Sequence, residues 1–196
     1  MENYFDEKAE EWDNYAIHDA PKVEKILDKV SLKKGDTVLD VGSGTGILIP
    51  YITEKVGKEG RITAIDISEK MIAISKQKHP KSKFSNVEFI NNDIMNIEFT
   101  KLYDVIICYS CFPHFSKKMK LIEHLSKGLK KGGKLIIAHS ESREKINNRH
   151  KEIEQLGSEH LLPTLHRLIE MFEIAQFRID CFKNTSEVFY VIGNKK

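Results

Sequence analysis

The chain has 196 residues, 40% hydrophobic and 31% charged, which excludes a disordered polymer and fits one domain, residues 1–196, with a substantial core. Its 31 basic and 29 acidic side chains leave a formal charge of +2, so no global field draws it to nucleic acid or membrane. No apolar run approaches a membrane span, and the acidic start MENYFDEKAEEWD carries no signal-peptide pattern. Three cysteines, Cys108, Cys111 and Cys181, make an odd count that reads as reduced thiols and a cytoplasmic protein.

Residues 1–20 set Tyr4, Phe5, Trp12, Tyr15 and Ile17 among acids. That pattern fits an amphipathic helix on the domain edge, a lid over a ligand, or both. After Pro21, Val23, Ile26, Leu27 and Val30 fall on one helical stripe. Val38, Leu39 and Val41 form a short strand, followed by Gly42, Gly44 and Gly46 and a helix to about Val56. Arg61 to Ile67 is a second strand ending in Asp66. Ser68 caps a helix that runs to His79-Pro80. Val87 to Ile90 is a third strand, followed by Asp93 and Ile94.

Asp104 to Tyr109 reads as a central strand buried on both faces. A helix from Lys117 to Leu129 carries its lysines outward, as a solvated face with no Arg or aromatic interleaving. Gly132-Gly133 turn the chain into a fifth strand, Lys134 to Ala138. Two helical patterns follow, the first with Ile146, Ile153 and Leu156, the second with Leu165, Leu168, Ile169 and Phe172. Ile174 to Phe182 and Glu187 to Ile192 close the chain as a hairpin.

A strand running into spaced glycines brings bare backbone up to a ligand. The spacing is G-x-G-x-G, since position 47 is Ile, and Asp40 stands two residues ahead of it. This resembles motif I of the class I S-adenosylmethionine (SAM) methyltransferases. The order Phe5-Asp6, Ala9, Trp12-Asp13 is similar to the start of small ubiquinone- and menaquinone-biosynthesis methyltransferases.

The resemblance implies an α/β, Rossmann-like, doubly wound and mostly parallel seven-stranded sheet with an antiparallel C-terminal hairpin. It implies SAM as cofactor, with Asp40, Gly42, Ser43, Gly44, Gly46, Asp66, Ile67, Asp93, Ile94 and Tyr109 as the cofactor-binding set. Asp66 offers two acceptor oxygens for the vicinal hydroxyls of a ribose. In the resembled family the acid at the place of Asp93 accepts from the adenine amino group, and the next residue packs on the ring. The strand of Asp104 to Tyr109 ends Cys-Tyr-Ser-Cys-Phe, without the Asn/Asp-Pro-Pro-Tyr signature used on exocyclic amines.

The expected reaction is methyl transfer to a small-molecule acceptor. RNA or protein acceptors, and SAM binding without transfer, remain open. Candidate bases are His139 and His114, with Tyr109 and Ser140 beside them. The stretch from 139 to 172 is longer than one crossover helix needs. It is expected to form the substrate side, with Arg143, Asn147 and His150 on one helical stripe. The late histidines lack helix-borne pair spacing and no carboxylate motif accompanies them, so no metal is expected. Cys108-x-x-Cys111 reads as core.

Overall fold

The computed structural model describes residues 2–15, 18–152 and 157–196. Seven strands make one sheet: β1 Thr37–Val41, β2 Arg61–Asp66, β3 Val87–Asn91, β4 Tyr103–Tyr109, β5 Leu129–His139, β6 Phe177–Asn184 and β7 Phe189–Lys195. Their order is β3-β2-β1-β4-β5-β7-β6. The first five pair in parallel, and β7 runs antiparallel between β5 and β6. This is the expected seven-stranded, mostly parallel sheet with its C-terminal hairpin.

Strand parity sorts the apolar residues onto two faces. Val105, Ile107 and Tyr109 share a core with Val38, Ile136 and Ala138, covered by α3 (Ala20–Val30) and α4 (Ile49–Val56). Ile106 and Cys108 face the other core with Leu39, Leu135 and Ile137, covered by α6 (Lys118–Lys127) and α8 (Leu165–Ile174). The run of Asp104 to Tyr109 is apolar throughout because both its faces are covered. The remaining helices are α1 (Glu2–Lys8), α2 (Trp12–Tyr15), α5 (Glu69–Lys78) and α7 (Arg143–Lys151).

Two strand starts differ by three residues or more from the sequence reading, and the last strand runs two to three residues later than expected. β5 starts at Leu129, five residues early, because Leu129 already pairs with Tyr103. Lys134 pairs with Val105, so Lys130 to Gly133 is extra chain absorbed as a bulge, which a glycine pair accommodates. β6 starts at Phe177 because α8 continues through Ile174, and Gln176 takes a left-handed turn at φ 65°. Ile17, Ile153 and Leu156 lie outside the described residues. No helix among the described residues is long and apolar enough to cross a membrane.

Strand order reverses between β1 and β4, since β1 leads first to β2 and β3 on one side and then to β4 and β5 on the other. The crevice at the carboxyl ends of such strands is where open α/β sheets hold ligands.

Candidate active site

A cavity of about 650 Å³ occupies that crevice, within the range of small-molecule sites. Gly42, Gly44, Asp66, Ile67, Asp93 and Ile94 line one side of it. Phe5 and Trp12 cover it from the N-terminal segment. Their rings meet edge to face at 5.5 Å. That segment is tied down by two carboxylates. Asp6 accepts from the Ser68 hydroxyl, and Asp13 accepts from Thr45 Oγ1 at 2.6 Å and pairs with Lys78.

The glycines divide their work. Gly42 takes φ +64°, and a Cβ there would lie 2.5 Å from Cys111 Cβ, so only bare backbone fits. Gly44 donates its N–H to Asp66 Oδ2 at 2.8 Å. Gly46 packs against Ser75 and His79 and is absent from the cavity lining, so its role is to let the turn close on α5. Ser43 is also turned inward: its N–H goes to the Ile65 carbonyl at 3.0 Å and it does not reach the cavity.

Asp66 accepts from Gly44 N–H through one oxygen and from Ser68 N–H through the other, at 3.0 Å. Each carboxylate oxygen has a second lone pair, so two hydroxyls can still be bound in the aligned geometry that the amides impose. Burial raises its pKa despite those amides. Asp93 caps the turn of Ile94–Asn96 by accepting from Met95 N–H at 2.9 Å, which fixes both Asp93 and Ile94 on the wall.

Asp40 lies beneath the glycine turn and off the cavity lining, 2% exposed, with Oδ2 making no hydrogen bond among the described residues. Burial, and then the neighbouring Asp66, push its pKa up to about 8. A buried carboxyl with an unpartnered oxygen is what a nearby cationic ligand would stabilise as the carboxylate.

This has a consequence for the ligand-free protein. Between pH 3.8 and about 8 the folded state keeps a proton on Asp40 that the unfolded state releases, so stability falls as pH rises through that window. His114 and His139, with pKa values depressed to about 3 from 6.5, have the opposite sign, but their contribution is complete above about pH 6.5. The unfolding temperature is therefore expected to drop from pH 6.5 to 8. Asp40→Asn should flatten most of that drop in a thermal melt series, and an unchanged slope would refute the assignment.

Tyr109 departs from its expected place on the cofactor wall. It shares strand parity with Ile107, so it points into the α3 and α4 side, donates to Ser140 Oγ at 2.7 Å and meets His18 Nδ1 at 3.1 Å. The cavity is lined instead by the next two residues, Ser110 and Cys111. His139 likewise sits at the end of β5, 3% exposed and off the cavity wall. His114 does reach the wall, with Phe5 against it edge to face at 5.0 Å and His150 at 4.9 Å.

Arg143 and Asn147 do not enter the cavity lining either. Arg143 Nε donates to the Leu162 and Pro163 carbonyls at 3.1 and 2.7 Å. Asn147 exchanges two hydrogen bonds with the Leu162 backbone. The polar stripe thus clamps α7 to the connection before α8. Arg143→Ala is expected to lower the unfolding temperature by several degrees while leaving cofactor affinity within twofold, since it strips a donor from two carbonyls that are not on the cavity lining.

Met71, Met95, Phe115, Lys117, Lys120 and His160 are also on the lining, and nothing in the sequence reading makes them cofactor or catalytic residues. Among the described residues no three His, Cys, Asp or Glu side chains are arranged to hold a metal ion.

Residues 32–182 match the methyltransferase domain family, and the chain belongs to it. It is 34% identical over 137 residues to a malonyl-[acyl-carrier protein] O-methyltransferase of Ilyobacter polytropus, covering 68% of this chain and 49% of that one. It is 29% identical over 126 residues to a ubiquinone/menaquinone biosynthesis C-methyltransferase of Francisella philomiragia, covering 63% of this chain and 50% of that one. The chain thus spans about half the length of these curated relatives. In structure it is similar to a SAM-dependent methyltransferase of Aquifex aeolicus, with TM-score 0.75 and 25% identity over 97% of this chain and 98% of that one.

Proposed function

We propose that the protein transfers a methyl group from SAM to a small-molecule acceptor. The observation that carries this reading is the cavity wall itself. Bare backbone at Gly42 and Gly44, the aligned Asp66 carboxylate and the Asp93–Ile94 turn line one side of a cavity whose lining also includes His114. Relatives named as a malonyl-[acyl-carrier protein] O-methyltransferase and a ubiquinone/menaquinone biosynthesis C-methyltransferase support an acceptor group of small-molecule size. The three free thiols fit a reducing compartment such as the cytoplasm.

The residues present fit SAM: Asp66 and Asp93 suit a nucleoside's donors, and buried Asp40 suits a ligand carrying positive charge. When bound, SAM supplies a methyl group already activated as a sulfonium. The chain's part is alignment and exclusion of water, which can contribute up to ~7–11 kcal/mol.

Burial, and then the neighbouring histidines, hold the His114 pKa down at about 3, so it is neutral at physiological pH and holds a proton poorly. His139 is no better, at about 3. The low basicity of both histidines therefore favours an acceptor atom that arrives without its proton.

Calorimetric titration with S-adenosylhomocysteine tests the cofactor half, and absence of binding would reject the proposal. The N-terminal segment acts as a lid in this reading. Deleting residues 2–15 is expected to weaken S-adenosylhomocysteine binding at least tenfold while the circular dichroism spectrum keeps its α/β shape. Undiminished affinity would assign the segment a purely structural role.

A further inference from the structure

His114, His139, His150 and His160 come from four different places: the turn after β4, the end of β5, α7, and the turn before α8. Each carries a buried ring nitrogen without a hydrogen bond among the described residues: Nδ1 of His114 and His160, Nε2 of His139 and His150. One orphan imidazole nitrogen is ordinary, but four in one region are not, and they suggest a polar ligand that the folded protein is shaped to receive.

The surroundings give that ligand's charge. The ionisable groups acting on His114 are His150, His139, His160 and Lys118, and those acting on His150 are Arg149, His160 and Lys118. Those acting on His139 are His150, Arg149 and His18. None is a carboxylate. Lys117 and Lys120 stand on the cavity wall with His114 and His160. Of the nearby acids, Glu141 pairs with Arg149, while Glu159 lies 3.8 Å from His160 and acts on Lys118. A cation entering here would meet Lys118 and Arg149, and no three side chains are arranged to cage one.

We propose that the part of this cluster on the cavity wall, His114 and His160 with Lys117 and Lys120, binds an anionic group, a carboxylate or a phosphate, carried by the methyl acceptor. The inference rests on the methyltransferase reading for what happens to the acceptor afterwards, but not for the binding itself. His114 and His160 line the cavity and can each turn a neutral N–H toward an oxyanion, whereas His150 gives its Nδ1–H to the Ile146 carbonyl, and Lys117 and Lys120 supply the attraction at the mouth. An acceptor of this charge also suits a site without an effective base, since an anionic oxygen needs none.

The test uses the full chain, with and without saturating S-adenosylhomocysteine, titrated with malonate and separately with inorganic phosphate. Histidine ring NMR signals and calorimetry read the result. One of the two anions is expected to bind and to move the signals of His114, His150 and His160, and which one does so separates carboxylate from phosphate. His160→Asn, on a short turn, and Lys120→Gln, in α6, are each expected to weaken that anion at least tenfold with S-adenosylhomocysteine affinity unchanged. If neither anion moves these signals at 50 mM, on the order of the weakest useful affinity, or if zinc binds there and the anions do not, the proposal is overturned. Failure of S-adenosylhomocysteine to bind while an anion does would instead reject the cofactor reading alone.

Discussion

Asp66→Ala is expected to raise the dissociation constant for S-adenosylhomocysteine roughly tenfold to a hundredfold. The carboxylate is held by two backbone amides, Gly44 N–H and Ser68 N–H, which aim its remaining lone pairs into the cavity. Hydrogen bonds to a charged group contribute about 1.5–3 kcal/mol, and each 1.4 kcal/mol is a decade in affinity. The substitution also leaves two amides without their acceptor, so some loss of stability accompanies it.

Asp66→Asn separates the two effects. It keeps the shape, but its amide nitrogen must face one of the N–H groups, so it can satisfy only one of them. Affinity for Asp66→Asn should fall between wild type and Asp66→Ala. Calorimetry on folded protein checks this order, and equal affinity in all three would remove Asp66 from the site.

The parts of this site legible in sequence are those written into consecutive residues. The strand of Val38 to Val41, its glycine turn and the acid ending β2 each declare themselves within a few positions, and the structure brings Gly42, Gly44, Asp66 and Asp93 to one wall. Tyr109 could not be placed this way. Every residue from Val105 to Tyr109 is buried, so nothing in the pattern says which parity faces the crevice.

His139 has the same ambiguity at the end of β5, whereas His114 follows a turn that carries it over the edge. Arg143 and Asn147 were correctly put on one face of a helix. Periodicity gives a shared face but not its neighbour, and the neighbour is the Leu162–Pro163 backbone fifteen to twenty residues away. The histidine cluster is the extreme case, since its members lie on four elements and only the folded chain assembles them.

Gly42 tests the tightest packing in the site. Gly42→Ala is expected to lower stability by roughly 2–4 kcal/mol. Of this, about 1 kcal/mol comes from placing a side chain at positive φ and about 1–3 kcal/mol from forcing a Cβ onto Cys111. The contact would be 2.5 Å to Cys111 Cβ and 3.0 Å to its Sγ. Cys111 has little freedom to yield, because it is buried and its thiol donates to the Val41 carbonyl at 3.0 Å.

Gly35 provides the control: it takes φ +86° with nothing within 4 Å of the Cβ position, so Gly35→Ala incurs the backbone strain alone. The difference between the two variants in a denaturant melt isolates the steric part. At about 2–4 °C per kcal/mol for a chain of this size, Gly42→Ala should melt some 5–15 °C below wild type. Because Cys111 lines the cavity, the displaced wall should also weaken S-adenosylhomocysteine binding at least tenfold, whereas Gly35→Ala leaves it unchanged. Were Gly42→Ala to cost no more than Gly35→Ala, the close approach of the glycine turn to Cys111 would be refuted, and with it the reason this turn presents bare backbone to the cavity.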